Sequence, residues 1–145
     1  MKQSVRLFVL GLLLTFPAKN LLAWDNIIQA AGLGKVNDIQ LFLNKGQSVN
    51  LIDDDGVTPL MMAAMVRKYK NIRFLIDNGA DVKAKDNDGT TALMTLCIAG
   101  TAKDITTVKL LMAKGASINT KDKGGITARE LCRDYGTEIF SAIMK

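Results

Sequence analysis

Histidine is absent from this 145-residue chain, which removes the commonest general base and the commonest imidazole metal ligand. Three sets of side chains remain that could do chemistry. Cys97 and Cys132 are the only thiols, able to pair as a disulfide or to ligate a soft metal. Met61, Met62, Met65 and Met94 are soft donors of the kind copper favours, but thioethers also fill cores and make adaptable contact surfaces. Asp53, Asp54 and Asp55 before Gly56, with Asp86 and Asp88 before Gly89, offer oxygen ligands. They lack the spaced acidic ligands and distal bidentate Glu of a calcium loop. No nucleophile, base and orienting partner can be assembled from these residues. The expectation is a protein that is not an enzyme and carries no cofactor and no metal.

The elements that hold these residues repeat. Asp53-Asp54-Asp55-Gly56-Val57-Thr58-Pro59-Leu60 returns 33 residues later as Asp86-Asn87-Asp88-Gly89-Thr90-Thr91-Ala92-Leu93, and a weaker copy begins at Asp122 after a spacing of 36. A second landmark keeps the same rhythm: Gly46-Gln47-Ser48-Val49-Asn50, Gly79-Ala80-Asp81-Val82, and Gly115-Ala116-Ser117-Ile118-Asn119. Each Asp-x-x-Gly reads as a tight turn, glycine supplying positive φ and aspartate bonding its own backbone. Thr58-Pro59 reads as a helix start, with a hydroxyl cap and proline at the first helical position. That places a first helix from about Pro59 through Met65. A second carries Ile72, Leu75 and Ile76 at helical spacing and stops at Asn78-Gly79.

The period of about 33 and the words Asp-x-x-Gly-x-Thr-Pro-Leu, Ala-Ala and Gly-Ala-Asp-Val resemble the ankyrin-repeat family from Trp24 to the C-terminus. The resemblance implies an all-α solenoid of helix-turn-helix units with short β-hairpin fingers. Its approximate units are 24–52, 53–85, 86–121 and 122–145, two full repeats flanked by two partial, capping ones. In the last unit Ala128-Arg129-Glu130 stands where Pro59-Leu60-Met61 stood, which fits a polar end cap. Ile139, Phe140 and Ile143 are expected to fold back on the third unit.

Two departures from the family pattern stand out. The family's usual histidine is Met61, Met94 and Glu130 in successive units, so its hydrogen-bond network is lost and lower local stability is expected. The three-residue excess falls around Ala99–Asp104, between the helices of the third unit, and reads as a tolerated surface insertion or, less favoured, a partner-specific loop. In the repeat register Cys97 and Cys132 match Ala64 and Ala63, so they are expected to act as small core residues. A disulfide is the competing reading. Stacked helices lie about 8–10 Å apart, and a bridge needs Cα atoms within roughly 7 Å.

Residues 1–23 follow another logic: Lys2 and Arg6, an apolar run from Leu7 to Phe16, and Leu21-Leu22-Ala23 have the anatomy of a secretory signal peptide. The run is shorter than the roughly 20 residues a membrane span needs. The domain expected after cleavage is therefore 24–145, without a membrane anchor. An exported miniature of this kind resembles small periplasmic ankyrin proteins of Gram-negative bacteria, which implies an oxidising compartment; secretion is the fallback. Loss of Lys2, Arg6 and Lys19 lowers the formal charge from +5 to +2. With no aromatic-interleaved basic groove, no nucleic-acid partner is expected.

The function that the resemblance implies is docking of one protein partner on the concave face of fingers and first helices. The family's contact positions fall here on Asp54, Asp55 and Val57, on Asn87, Asp88 and Thr90, on Met65, Val66 and Ile98, and on Lys123. The free chain is expected to be a monomer. Similar exported proteins, as a class, either support a peroxide-detoxifying haem enzyme or act as immunity proteins to a toxin. The alternative is a haem or metal carrier using Met or Cys ligands.

Overall fold

Thr58 and Thr91 cap their helices through the side chain, the hydroxyls accepting from the N–H of Met61 at 3.2 Å and of Met94 at 3.3 Å. Each cap satisfies one of the donors a helix start leaves open. The helices so begun are α3 (Pro59–Met65) and α5 (Ala92–Cys97), and α1 (Ile27–Leu33), capped by Asn26, precedes them. Each leads by a short turn to an antiparallel partner: α2 (Val36–Asn44), α4 (Tyr69–Asp77) and α6 (Ile105–Ala113). A last pair, α7 (Ala128–Tyr135) and α8 (Thr137–Ile143), closes the chain. The computed structural model describes residues 25–98, 100–135 and 137–144; the expected signal segment, 1–23, lies outside them. Among the described residues no helix is long and apolar enough to cross a membrane.

The helices form two layers. α1, α3, α5 and α7 pack in one row, and α2, α4, α6 and α8 in the other. Burial explains the order: Ile27, Ala30, Ala31, Leu60, Ala63, Ala64, Leu93, Leu96 and Cys97 of the first row are removed from solvent, as are Ile39, Ile72, Leu75, Val108 and Leu111 of the second. A buried Leu or Ile side chain contributes about 1.5–3 kcal/mol, yet no single pair has two faces to bury it against. The core therefore runs along the stack. Polar ties fix its register: buried Asn71 donates to the carbonyls of Ala31 at 2.9 Å and Gly34 at 3.2 Å, one unit back.

The C-terminal residues fold back as the pattern predicts. Ile139 is fully buried, and Phe140 and Ile143 pack partly buried against the core. Glu130, in place of the family histidine, accepts from the N–H and the hydroxyl of Thr127, both at 2.8 Å, while Glu130 N–H donates to Thr127 Oγ1 at 3.2 Å. This is a capping box, so one of the substituted positions regains a local bond. Met61 and Met94, at the other two, are buried apolar side chains.

One expectation needs correction and another needs detail. Cys97 and Cys132 are joined as a disulfide, with Cα atoms 4.4 Å apart. Average helix spacing was the wrong yardstick at this point: the register positions are small ones, and without bulky side chains between them the backbones of α5 and α7 approach within bridging distance. Ala99 lies outside the described residues, but the three-residue excess does lie at the surface, with Thr101, Ala102 and Lys103 exposed, and is anchored at one end. It contains a 3₁₀ turn, Ala102–Asp104, whose Asp104 is fully buried.

Candidate protein-binding surface

Each finger is organised by one aspartate. Asp53 Oδ1 accepts from the N–H of Asp55 at 3.0 Å and of Val57 at 2.8 Å; Asp86 Oδ1 accepts from Asp88 at 2.9 Å and Thr90 at 2.8 Å; Asp122 Oδ1 accepts from Ile126 at 2.8 Å. These three carboxylates are occupied in building turns. The only isolated bridge among the described residues, Lys121 with Thr127, closes the third finger, and no named strand occurs among them. Gly89 lies at φ 81°, and a Cβ there would stand 3.0 Å from Asp122 Cα and Lys123 N. Both conformation and the close approach of the next finger demand glycine.

Successive fingers are tied together. Asn87 donates from its backbone to the carbonyl of Asp55 and from its side chain to that of Asp54, both at 2.9 Å, and Lys123 N–H donates to Asp88 O at 2.8 Å. Equivalent tip positions thus line up as Asp54, Asn87 and Lys123, a gradient from negative to positive along the stack. The side chains of Asp54, Asp55, Asp88 and Lys123 are exposed, and Thr90 is half-buried. Val57 is not available: it is 8 % exposed and belongs to the core, because the turn on Asp53 folds it under the finger. It is withdrawn from the contact set.

At the other end of the first helices, Met65 and Ile98 occupy equivalent positions. Met65 and Val66 are half-buried, and Ile98 is 40 % exposed. Seven helical residues at 1.5 Å each keep this apolar pair about 10 Å from the fingers. The equivalent position is Gly32 in the first unit and Asp134 in the last, so the apolar stretch is central. A protein interface commonly has this layout, apolar in the middle and charged at the rim. Sequence reasoning missed Ile52, 62 % exposed, directly before the first finger. Its register partners are Lys85 and Lys121, and that contrast was there to be read.

The Met65–Ile98 end is braced by the turn insertion. Asp104 accepts from Arg67 Nε at 3.3 Å, Tyr69 OH at 3.0 Å, Thr101 N–H at 2.8 Å and Thr101 Oγ1 at 3.1 Å, while Arg67 Nη2 donates to Ile98 O at 2.9 Å. A buried carboxylate is tolerated when paired and bonded in this way. Burial, then the bond to Asp104, raises the Tyr69 phenol above its usual pKa, keeping it a donor. No periodicity could have foretold an ion pair between residues 67 and 104.

Metal and haem chemistry gains nothing from this geometry. Cys97 and Cys132 are consumed in their bond, and Met61, Met62 and Met94 are buried in the core. Among the described residues no group of three or more His, Cys, Asp or Glu could hold a metal ion.

No curated protein matches this chain. The family model for Ankyrin repeats (3 copies) matches residues 27–122. Ankyrin repeats are generally protein–protein interaction modules and are typically non-enzymatic. The matched span includes α1 to α6 and the first two fingers, and the two-layer stack of capped helix pairs described above is the fold such repeats build: the chain belongs to the ankyrin-repeat family.

Proposed function

We propose that this protein is a non-enzymatic binding module of the bacterial periplasm that docks one protein partner on its finger and first-helix face. The observation that carries the reading is the apolar Met65–Ile98 stretch, partly exposed at the middle of the stack, with Asp54, Asp55, Asp88 and Lys123 on the finger tips beyond it. The buried Cys97–Cys132 bond supports an oxidising compartment, as does the signal-like segment 1–23. Its test is to replace Met65 and Ile98 together by arginine and compare capture of crosslinked periplasmic protein with the unaltered chain. Loss of a stoichiometric partner at unchanged helicity is expected; undiminished capture would overturn the choice of face.

Two roles fit such a module, on the resemblance alone: accessory factor to a peroxide-detoxifying enzyme, or immunity protein to a periplasmic toxin. A deletion strain sensitised to peroxide supports the first. Killing only beside toxin-bearing siblings supports the second. The carrier reading is weakened by the engaged thiols and buried methionines, and an unchanged Soret band on titration with haem would remove it.

A further inference from the structure

A cleft of about 560 Å³ lies between the first two inter-helix turns, at the edge of the stack opposite the fingers. Its lining includes Lys35, Arg67, Lys68 and Lys70 and not a single carboxylate. The nearest acids are turned elsewhere: Asp38 accepts from Lys35 N–H at 2.7 Å, and Asp104 is buried beneath Arg67 and Tyr69. Among the described residues the ion pairs engage Arg67, Arg73 and Arg133, and Lys35, Lys68 and Lys70, all exposed, join none of them. Three exposed lysines thus line one cleft that holds no carboxylate.

The turn that presents two of them is held in an uncommon conformation. Arg67 has φ 55°, the only non-glycine among the described residues with positive φ. It closes α3 in the left-handed conformation common after a helix C-cap, Arg67 N–H donating to Ala64 O at 3.2 Å and Lys68 N–H to Ala63 O at 2.9 Å; the side chain of Arg67 is held by Asp104 and the Ile98 carbonyl, and that of Tyr69, two residues on, by Asp104 as well. The three-residue excess of the third unit therefore serves as a strut for the basic turn of the second.

We propose that this cleft is a second binding site, separate from the finger face, which takes an acidic peptide segment of a protein partner. Charge complementarity selects an anion. Lining selects a peptide: the cleft is shallow and open, and half-buried Val36 and Tyr69 lie among the lysines, giving apolar surface to the stems of acidic side chains that a lone inorganic anion would leave unused.

The test is fluorescence anisotropy of the full chain with a labelled oligo-glutamate peptide and its glutamine counterpart. Binding of the glutamate peptide alone is expected, weakening as ionic strength rises from about 0.01 M to about 1 M and the Debye length shrinks from about 30 Å to about 3 Å. Replacing Lys35, Lys68 and Lys70 by glutamate should weaken it at least about tenfold. The milder Lys68→Gln with Lys70→Gln should show a smaller loss, and arginine at the three positions should restore binding. Equal binding of the two peptides, no binding of either, or affinity that survives charge reversal in a folded variant would overturn the site. So would a chain that binds pyrophosphate or phosphatidylglycerol vesicles but not the peptide. A neutral Met65→Ser with Ile98→Ser variant, which adds no charge beside Arg67, should bind the glutamate peptide unchanged while losing the finger-face partner, which keeps failure of this site distinct from failure of the finger face.

Discussion

Between α1 and α3 the alanine pairs Ala30-Ala31 and Ala63-Ala64 meet with no covalent link, whereas between α5 and α7 the same register carries Cys97 and Cys132, bonded to each other. The difference follows the supply of apolar surface. α1 and α3 bury Ile27, Ile28, Leu60, Met61 and Met62 around their alanines. α7 buries only Ala128 and Cys132, and its outer positions are Arg129, Glu130 and Arg133. Among the described residues no first-row helix packs on the far side of α7, whose polar groups suit a face turned to water, so it makes fewer of the contacts that hold an inner helix. A cross-link between two core positions offsets that loss without adding exposed apolar area.

The comparison is broken most forcefully at the bond. Cys97→Ala with Cys132→Ala should cost about 2–5 kcal/mol, read as a lower denaturation midpoint, and reducing agent should destabilise the unaltered chain but not the double variant. Hydrogen exchange should accelerate in 128–143 well before 27–44. Uniform acceleration along the chain would mean that the last pair is no less self-sufficient than the first.

At the first junction the matching experiment is Gly32→Ala. A Cβ at Gly32 would stand 2.7 Å from Met62 Cγ, so the close packing of α1 on α3 must yield. Overpacking costs about 1–3 kcal/mol, and the helix preference of alanine returns up to about 1 kcal/mol. Net destabilisation of about 1 kcal/mol is expected from equilibrium unfolding, with Met62→Ala relieving part of it in the double variant. A stabilised single variant would show that this junction has slack.

The smallest effect lies at the start of α7. The backbone N–H of Thr127, and next its hydroxyl, hold the Glu130 carboxyl below its usual pKa. A carboxylate depressed on folding stabilises above its unfolded value, about 4.3, and that support is lost as pH falls through the folded value. Protection of the α7 amides, taken relative to their intrinsic exchange rate at each pH, should therefore fall over that acid range, and Glu130→Gln should flatten the dependence. An unaltered acid profile in the variant would show that the cap does not govern this end.

The chain itself determined the repeating parts. Period, Asp-x-x-Gly turns, Thr caps and the Asn78-Gly79 stop are local devices: each acts through backbone geometry or hydrogen bonds within a few residues, so types and spacing suffice to read them. They led to α3 at its observed bounds, to the stack and to the folded-back Ile139. Tertiary structure decided whatever joins distant residues. That Val57 turns inward depends on what lies under its finger. Whether Cys97 meets Cys132 depends on how closely two particular helices approach, a distance set by the small side chains between them and not by average spacing. The burial of Asp104 beneath Arg67 and Tyr69 depends on an insertion in one unit reaching the turn of the unit before it, and such a contact leaves no periodic trace because it occurs once.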